Sequence, residues 1–264
     1  MEFMVTVPIF YIISFILSLY FVISGKKDFS STSNYFFISA FLIQAVLIAS
    51  ERIQYTSRDI ETVLFLIAFI ISLGSYLLIR PRIDNLYSLY VSPVAFIATI
   101  PILFYSNNLE NITANNNLLV FSHVAPNLLA HTMLLIATIF SSMFLFQYKN
   151  IKNKNIKKIS RLPSISLIEK INFLLIVSSF PLMSIGLGLG FVLSKKQIGS
   201  YWFGTVSSLS VTSWSIFFIL IILKSVYKIS AYKTSLLTIV GFITIILGYV
   251  FMHLLELPSH NLLG

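Results

Sequence analysis

Cysteine is missing from all 264 residues. That excludes structural disulfides, thiolate metal sites and covalent CxxCH haem attachment in this chain, and leaves non-covalent cofactors open. Charge is scarce as well. Asp, Glu, Lys and Arg make up 10% of the chain, against about a quarter in a soluble domain. No histidine occurs before residue 123. The apolar runs hold no paired carboxylates and no Ser/His/Asp arrangement, so nothing in them points to hydrolysis. What remains is 57% hydrophobic, the composition of an integral membrane protein. The net charge of +9 does not indicate a nucleic-acid partner. The basic residues sit in short loops between apolar runs, where the positive-inside rule expects them.

An apolar run of about 20 residues spans a hydrocarbon core of about 30 Å. The sequence predicts an all-α polytopic membrane protein, one transmembrane domain over 1–264, with eight spans. These are Met4–Gly25, Tyr35–Ser50, Thr62–Ile79, Leu86–Ser106, Leu118–Tyr148, Ile171–Ser194, Trp202–Leu223 and Ser235–Leu255. The first has no basic stretch before it and no small-residue cleavage site, so it reads as a retained helix. Of the eighteen Lys and Arg residues, fourteen fall after spans one, three, five and seven. They include Lys149, Lys152, Lys154, Lys157, Lys158, Arg161 and Lys170 after span five. Arg52, Arg58, Lys195 and Lys196 fall on the other side. The asymmetry puts the fourteen in the cytoplasm and both termini outside. The loop after span five is an anchor for anionic membrane lipid, at about 1 kcal/mol per basic residue near the surface.

The stretch Leu118–Tyr148 is the centre of the chain. It carries His123 and His131 in an otherwise apolar run, and polar or ionisable groups at membrane depth are usually functional. With this orientation His123, His253 and His260 all lie toward the outer side. His131 lies eight residues below His123, about 12 Å deeper at 1.5 Å per residue. The outer connection SKKQIGSYWFG adds Lys195, Lys196, Tyr201 and Trp202. Tyr201 and Trp202 fit an interfacial aromatic belt equally well. Imidazoles from different helices at one depth suit haem iron, with aromatics under the ring and cations for the propionates. Zinc would want more ligands. Gly186, Gly188 and Gly190 form GLGLG within span six. No strand precedes them, so they are no dinucleotide fingerprint; small residues in a membrane helix permit close packing. Pro126 and Pro181 are expected to bend their helices locally. The Asn111-Ile112-Thr113 sequon carries little weight. Arg52, Arg58 and Glu61 read as solvated by default.

Several motifs in order carry a resemblance. FSHV opens span five, then follow LPSISLIEKINF, FPLMSIGLGLGF, GSYW, TSW and a final SH. From Asn117 onward this order resembles the cytochrome c assembly membrane family, which includes CcsA, CcmC and HemX-like proteins. ERIQYTSRDIETVLFL resembles the family's second outer loop and third helix more weakly. The resemblance implies haem handling at the outer face. It makes His123 and His260 axial ligands of a non-covalent haem b, and Tyr201 and Trp202 the start of the family's tryptophan-rich segment. Where haem-delivering members continue with a second tryptophan and an Asp-Pro-Lys-Glu run, this chain has FGTVSS. It also lacks a histidine in span two. The length is nearer the eight-helix HemX-like branch, an analogy at the level of fold.

The expected function is therefore a haem-handling or accessory membrane protein of cytochrome c maturation, a carrier and not an enzyme. Its expected home is the bacterial inner membrane or an organelle equivalent, beside a partner membrane subunit. The alternative is a scaffold or regulator of the same fold that no longer binds haem. A solute transporter fits less well, because the two halves show no corresponding pair of Gly/Pro-broken spans.

Overall fold

The computed structural model describes residues 2–50, 60–83, 86–104, 117–155, 162–199 and 205–254. Among them the regular structure is helical. In chain order these are α1 (Glu2–Ser24), α2 (Lys27–Ala49), α3 (Ile60–Leu78), the single turn α4 (Arg80–Ile83) and α5 (Tyr87–Thr99). A 3-10 turn, Ile100–Phe104, extends α5. Then come α6 (Asn117–Lys152), α7 (Ile165–Ile198), α8 (Thr205–Ser225) and α9 (Ala231–Leu254). Among the described residues six segments are long and apolar enough to cross a membrane: Met4–Ser24, Lys27–Ala49, Ser122–Lys152, Ile165–Lys196, Ser207–Ser225 and Ala231–Gly248. Leu64–Leu77 and Tyr87–Leu103 are apolar but shorter.

The helix ends follow from local chemistry. Gly25 closes α1 and Gly199 closes α7, each at φ +77°, a left-handed backbone that costs glycine nothing. The Gly25 and Gly199 amides donate back to the Phe21 and Lys195 carbonyls at 2.8 and 3.0 Å. Helix α2 starts at Lys27, earlier than the expected Tyr35. Its polar opening, DFSSTSN, looks like loop, but Ser33 and Asn34 are buried. α6 and α7 run unbroken through Pro126 and Pro181.

Contacts group the chain into two units, residues 1–121 with 146–171, and residues 122–145 with 172–264. In the first, α1 turns Val7, Tyr11, Ser14 and Ser18 inward and leaves Val5, Ile9, Ile16 and Ile23 exposed. The exposed face is apolar and the buried stripe is part polar. That inverts the pattern of a soluble helix and suits a hydrocarbon surround. The hydroxyls of Ser14, Ser18, Ser33, Ser88 and Ser92, from α1, α2 and α5, bond to one another, with Ser18 to Ser88 at 2.7 Å. The Tyr11 hydroxyl meets Gln44 Oε1 at 2.9 Å and Ser72 Oγ at 2.8 Å. Gln44 donates from Nε2 to the Phe65 carbonyl at 2.6 Å, and the Tyr87 hydroxyl donates to Asn34. Phe37 packs edge-on against both Tyr11 and Tyr87. Gln147 donates to the carbonyl of Pro163, just ahead of α7, at 3.0 Å.

In the second unit, α8 packs on α9 where Gly241 lets Phe217 and Ile216 approach; a Cβ on Gly241 would stand 2.9 Å from Phe217 Cζ. The Trp214 indole donates to Ser184 Oγ at 2.9 Å and stacks on Phe218 with ring centroids 5.2 Å apart. Asn172 Nδ2 donates to Ser141 Oγ at 2.9 Å, while the buried Asn172 Oδ1 finds no partner among the described residues. An orphaned buried acceptor costs about 1–3 kcal/mol, more than a typical net hydrogen bond returns. Asn172→Leu should therefore leave stability within about 1 kcal/mol of the parent, or raise it. Asn172→Asp, which adds a charge, should lower it clearly. Thermal unfolding of the two variants in one detergent separates these outcomes.

Candidate functional site

His123 stands in the second turn of α6, and α7 passes beside it. The imidazole Nδ1 lies 2.7 Å from the Gly186 carbonyl oxygen. A carbonyl only accepts, so Nδ1 is the protonated nitrogen and donates. In the neutral ring the lone pair is then on Nε2. One turn further along α6, Asn127 Nδ2 donates to the His123 carbonyl at 3.1 Å. It also stands 3.4 Å from Nδ1, but two donors do not bond, and the backbone contact is the one that counts.

The glycines of α7 divide by face. A Cβ on Gly190 would stand 2.7 Å from His123 Cε1 and 3.0 Å from Nδ1. A Cβ on Gly186 would run into the Asn127 carboxamide. A Cβ on Gly188 would meet nothing within 4 Å among the described residues. The expected close packing at GLGLG is thus present at Gly186 and Gly190, which lie four apart on one side of the helix. Lys195 and Lys196 are exposed in the last turn of α7. Lys195 lies five residues past Gly190, about 7.5 Å along the axis. One end of α7 therefore carries the His123 contact and the two lysines.

His131 lies on the same helix, eight residues beyond His123, so the two cannot share one iron if α6 is regular. His253 lies in the final turn of α9, with its backbone alone described. His260, Tyr201, Trp202, Arg52, Arg58 and the Asn111–Thr113 sequon lie outside the described residues. Among the described residues no group of three or more His, Asp or Glu could hold a metal ion. Sequence reading passed over Asn127 and the Gly186 carbonyl. The i, i+4 spacing of His123 with Asn127, and of Gly186 with Gly190, was the available signal.

The family model for the cytochrome C assembly protein matches residues 5–259. The chain belongs to the cytochrome c assembly protein family. The match covers nearly the whole chain, so α1 and α2, which resemble the family only as hydrophobic spans, fall within it. Membership ties this integral membrane protein to cytochrome c biogenesis. No curated protein matches the chain.

Proposed function

We propose that this cytochrome c assembly protein carries haem at the outer face of a bacterial inner membrane or its organelle equivalent. It acts as a carrier or accessory of the HemX-like kind, not as a catalyst, and works beside a partner membrane subunit. The observation that carries this reading is the His123 imidazole, tethered through Nδ1–H to a backbone carbonyl. A histidine that ligates a metal typically donates its other nitrogen in this way, which leaves the second lone pair available. His123 and His260 would hold the iron of a b-type haem, with Tyr201 and Trp202 against the ring. Lys195, Lys196 or Arg52 would pair with the propionates. Haem is the cargo here, and what it supplies is the group to be handed on; the protein binds, orients and shields it.

The test is an absorbance titration of the detergent-purified chain with haem. A Soret band of a six-coordinate, low-spin type is expected. Its absence would end the ligand assignment and favour the scaffold reading, for which the FGTVSS sequence is the supporting observation.

The proposal includes eight spans, with the shorter apolar helices Leu64–Leu77 and Tyr87–Leu103 crossing beside the six longer ones, and both termini outside. The charge asymmetry of the loops supports it. Reporter fusions at Gly264 and at Asn155 should then report opposite compartments. The same compartment for both would overturn the eight-span topology.

A further inference from the structure

The glycine run of α7 does more than let two helices approach. Its carbonyl at Gly186 accepts the His123 Nδ1–H at 2.7 Å. At Gly190 the missing side chain is what admits the ring, since a Cβ would stand 2.7 Å from Cε1 and 3.0 Å from Nδ1. Real Cβ contacts are not that short, so an added methyl must displace the ring or the helix. The Nδ1–Cε1 edge of His123 is therefore seated against the backbone of α7, through one hydrogen bond and one absent side chain. Asn127 ties the same turn of α6 by donating to the His123 carbonyl, and its carboxamide fills the space over Gly186. On the other side, a Cβ on Gly188 would meet nothing within 4 Å among the described residues.

From this geometry we propose that Gly186 and Gly190 are positioning residues for His123. Gly186 fixes the nitrogen that carries the proton, and Gly190 fixes how closely the ring seats against α7. Together they present Nε2 as a lone pair in one orientation. The consequence for ligation rests on the haem reading above, but the tautomer and the seat belong to the ligand-free protein. If the glycines served only close packing, alanine at Gly190 would cost stability and leave the tautomer unchanged.

The experiment uses the full chain labelled with 15N-histidine, in detergent at alkaline pH, with His123→Ala to identify the signals. Nitrogen shifts separate a protonated ring nitrogen from one with a lone pair. In the parent protein, Nε2 of His123 is expected to carry the lone pair. Gly188→Ala should match the parent. Gly190→Ala should show a mixture of the two tautomers. With haem added, Gly190→Ala should bind about tenfold or more weakly, as outer-shell changes at histidine ligands do. Added imidazole should restore the six-coordinate spectrum. A parent spectrum with the proton on Nε2 would overturn the proposal, whether or not the variants fold. So would a Gly190→Ala protein with the parent's tautomer and the parent's haem affinity. A parent that takes up no haem removes the haem reading alone; the nitrogen shifts of the ligand-free protein then decide the positioning role.

Discussion

Alanine at His123 should abolish the Soret band of protein purified with haem supplied, and alanine at His260 should do the same. Alanine at His131 should retain it. Geometry separates His123 from His131. His123 has its Nδ1 engaged at 2.7 Å with Gly186, which leaves Nε2 for a metal. His131 lies about 12 Å further along the same helix and cannot reach the same iron. For His260 the argument is the family resemblance joined to the orientation drawn from the loop charges. From the sequence, His253, seven residues earlier and ahead of Pro258, is the expected reserve ligand. A band lost in His253→Ala and kept in His260→Ala would exchange those two. A band kept in His123→Ala would make that imidazole a structural group, bonded to Gly186 for packing alone.

Leucine at Ser33 should prevent the chain from folding stably, at a cost of about 3 kcal/mol or more from overpacking and lost hydrogen bonds. Ser33 Oγ stands 2.8 Å from the Ser14 carbonyl and 3.0 Å from Ser88 Oγ, and it also bonds Ser18. The side chain is fully buried, so a leucine would meet the oxygens of Ser14, Ser18 and Ser88. Alanine at the same position should cost less. Ser18 and Ser88 still bond each other at 2.7 Å, and interhelical hydrogen bonds in membranes average about 0.6 kcal/mol each. Leucine at the exposed Ser31 is the control and should be neutral. Thermal unfolding in detergent, with expression level alongside, ranks the three. Equal stability of the Ser33→Leu and Ser31→Leu proteins would mean that the five serines do not lock the helices of this unit.

Much of the helical architecture was legible because length and apolarity alone set a membrane helix. The stretch around His123 stood out for the same reason, two imidazoles in a run that is almost entirely apolar. The limits are physical too. The polar opening of α2 reads as loop until its partners are known. Those partners are far away in sequence: Ser33 meets Ser14 and Ser88, and Asn34 meets Tyr87. A hydroxyl satisfied by a distant hydroxyl leaves no local pattern. The glycine run was legible as a packing surface, because small residues at i and i+4 share a face. That the packed object is the His123 ring depends on how α6 and α7 are rotated against each other, and no periodicity carries that. Tyr201, Trp202 and His260 rest on the resemblance, since they lie outside the described residues.

The shared ownership of α6 has a consequence for how the chain is made. Its middle belongs to one unit, while residues 146–171 return to the other. The serine cluster needs nothing beyond Ser92 and can form while synthesis continues. The closure from Gln147 to Pro163 must wait until the chain has passed through α6 and reached the residues just ahead of α7. A nascent chain that stalls before that point leaves its first unit open in the bilayer. Interrupted translation in this region should therefore yield fragments that membrane proteases clear, rather than a stable half-protein.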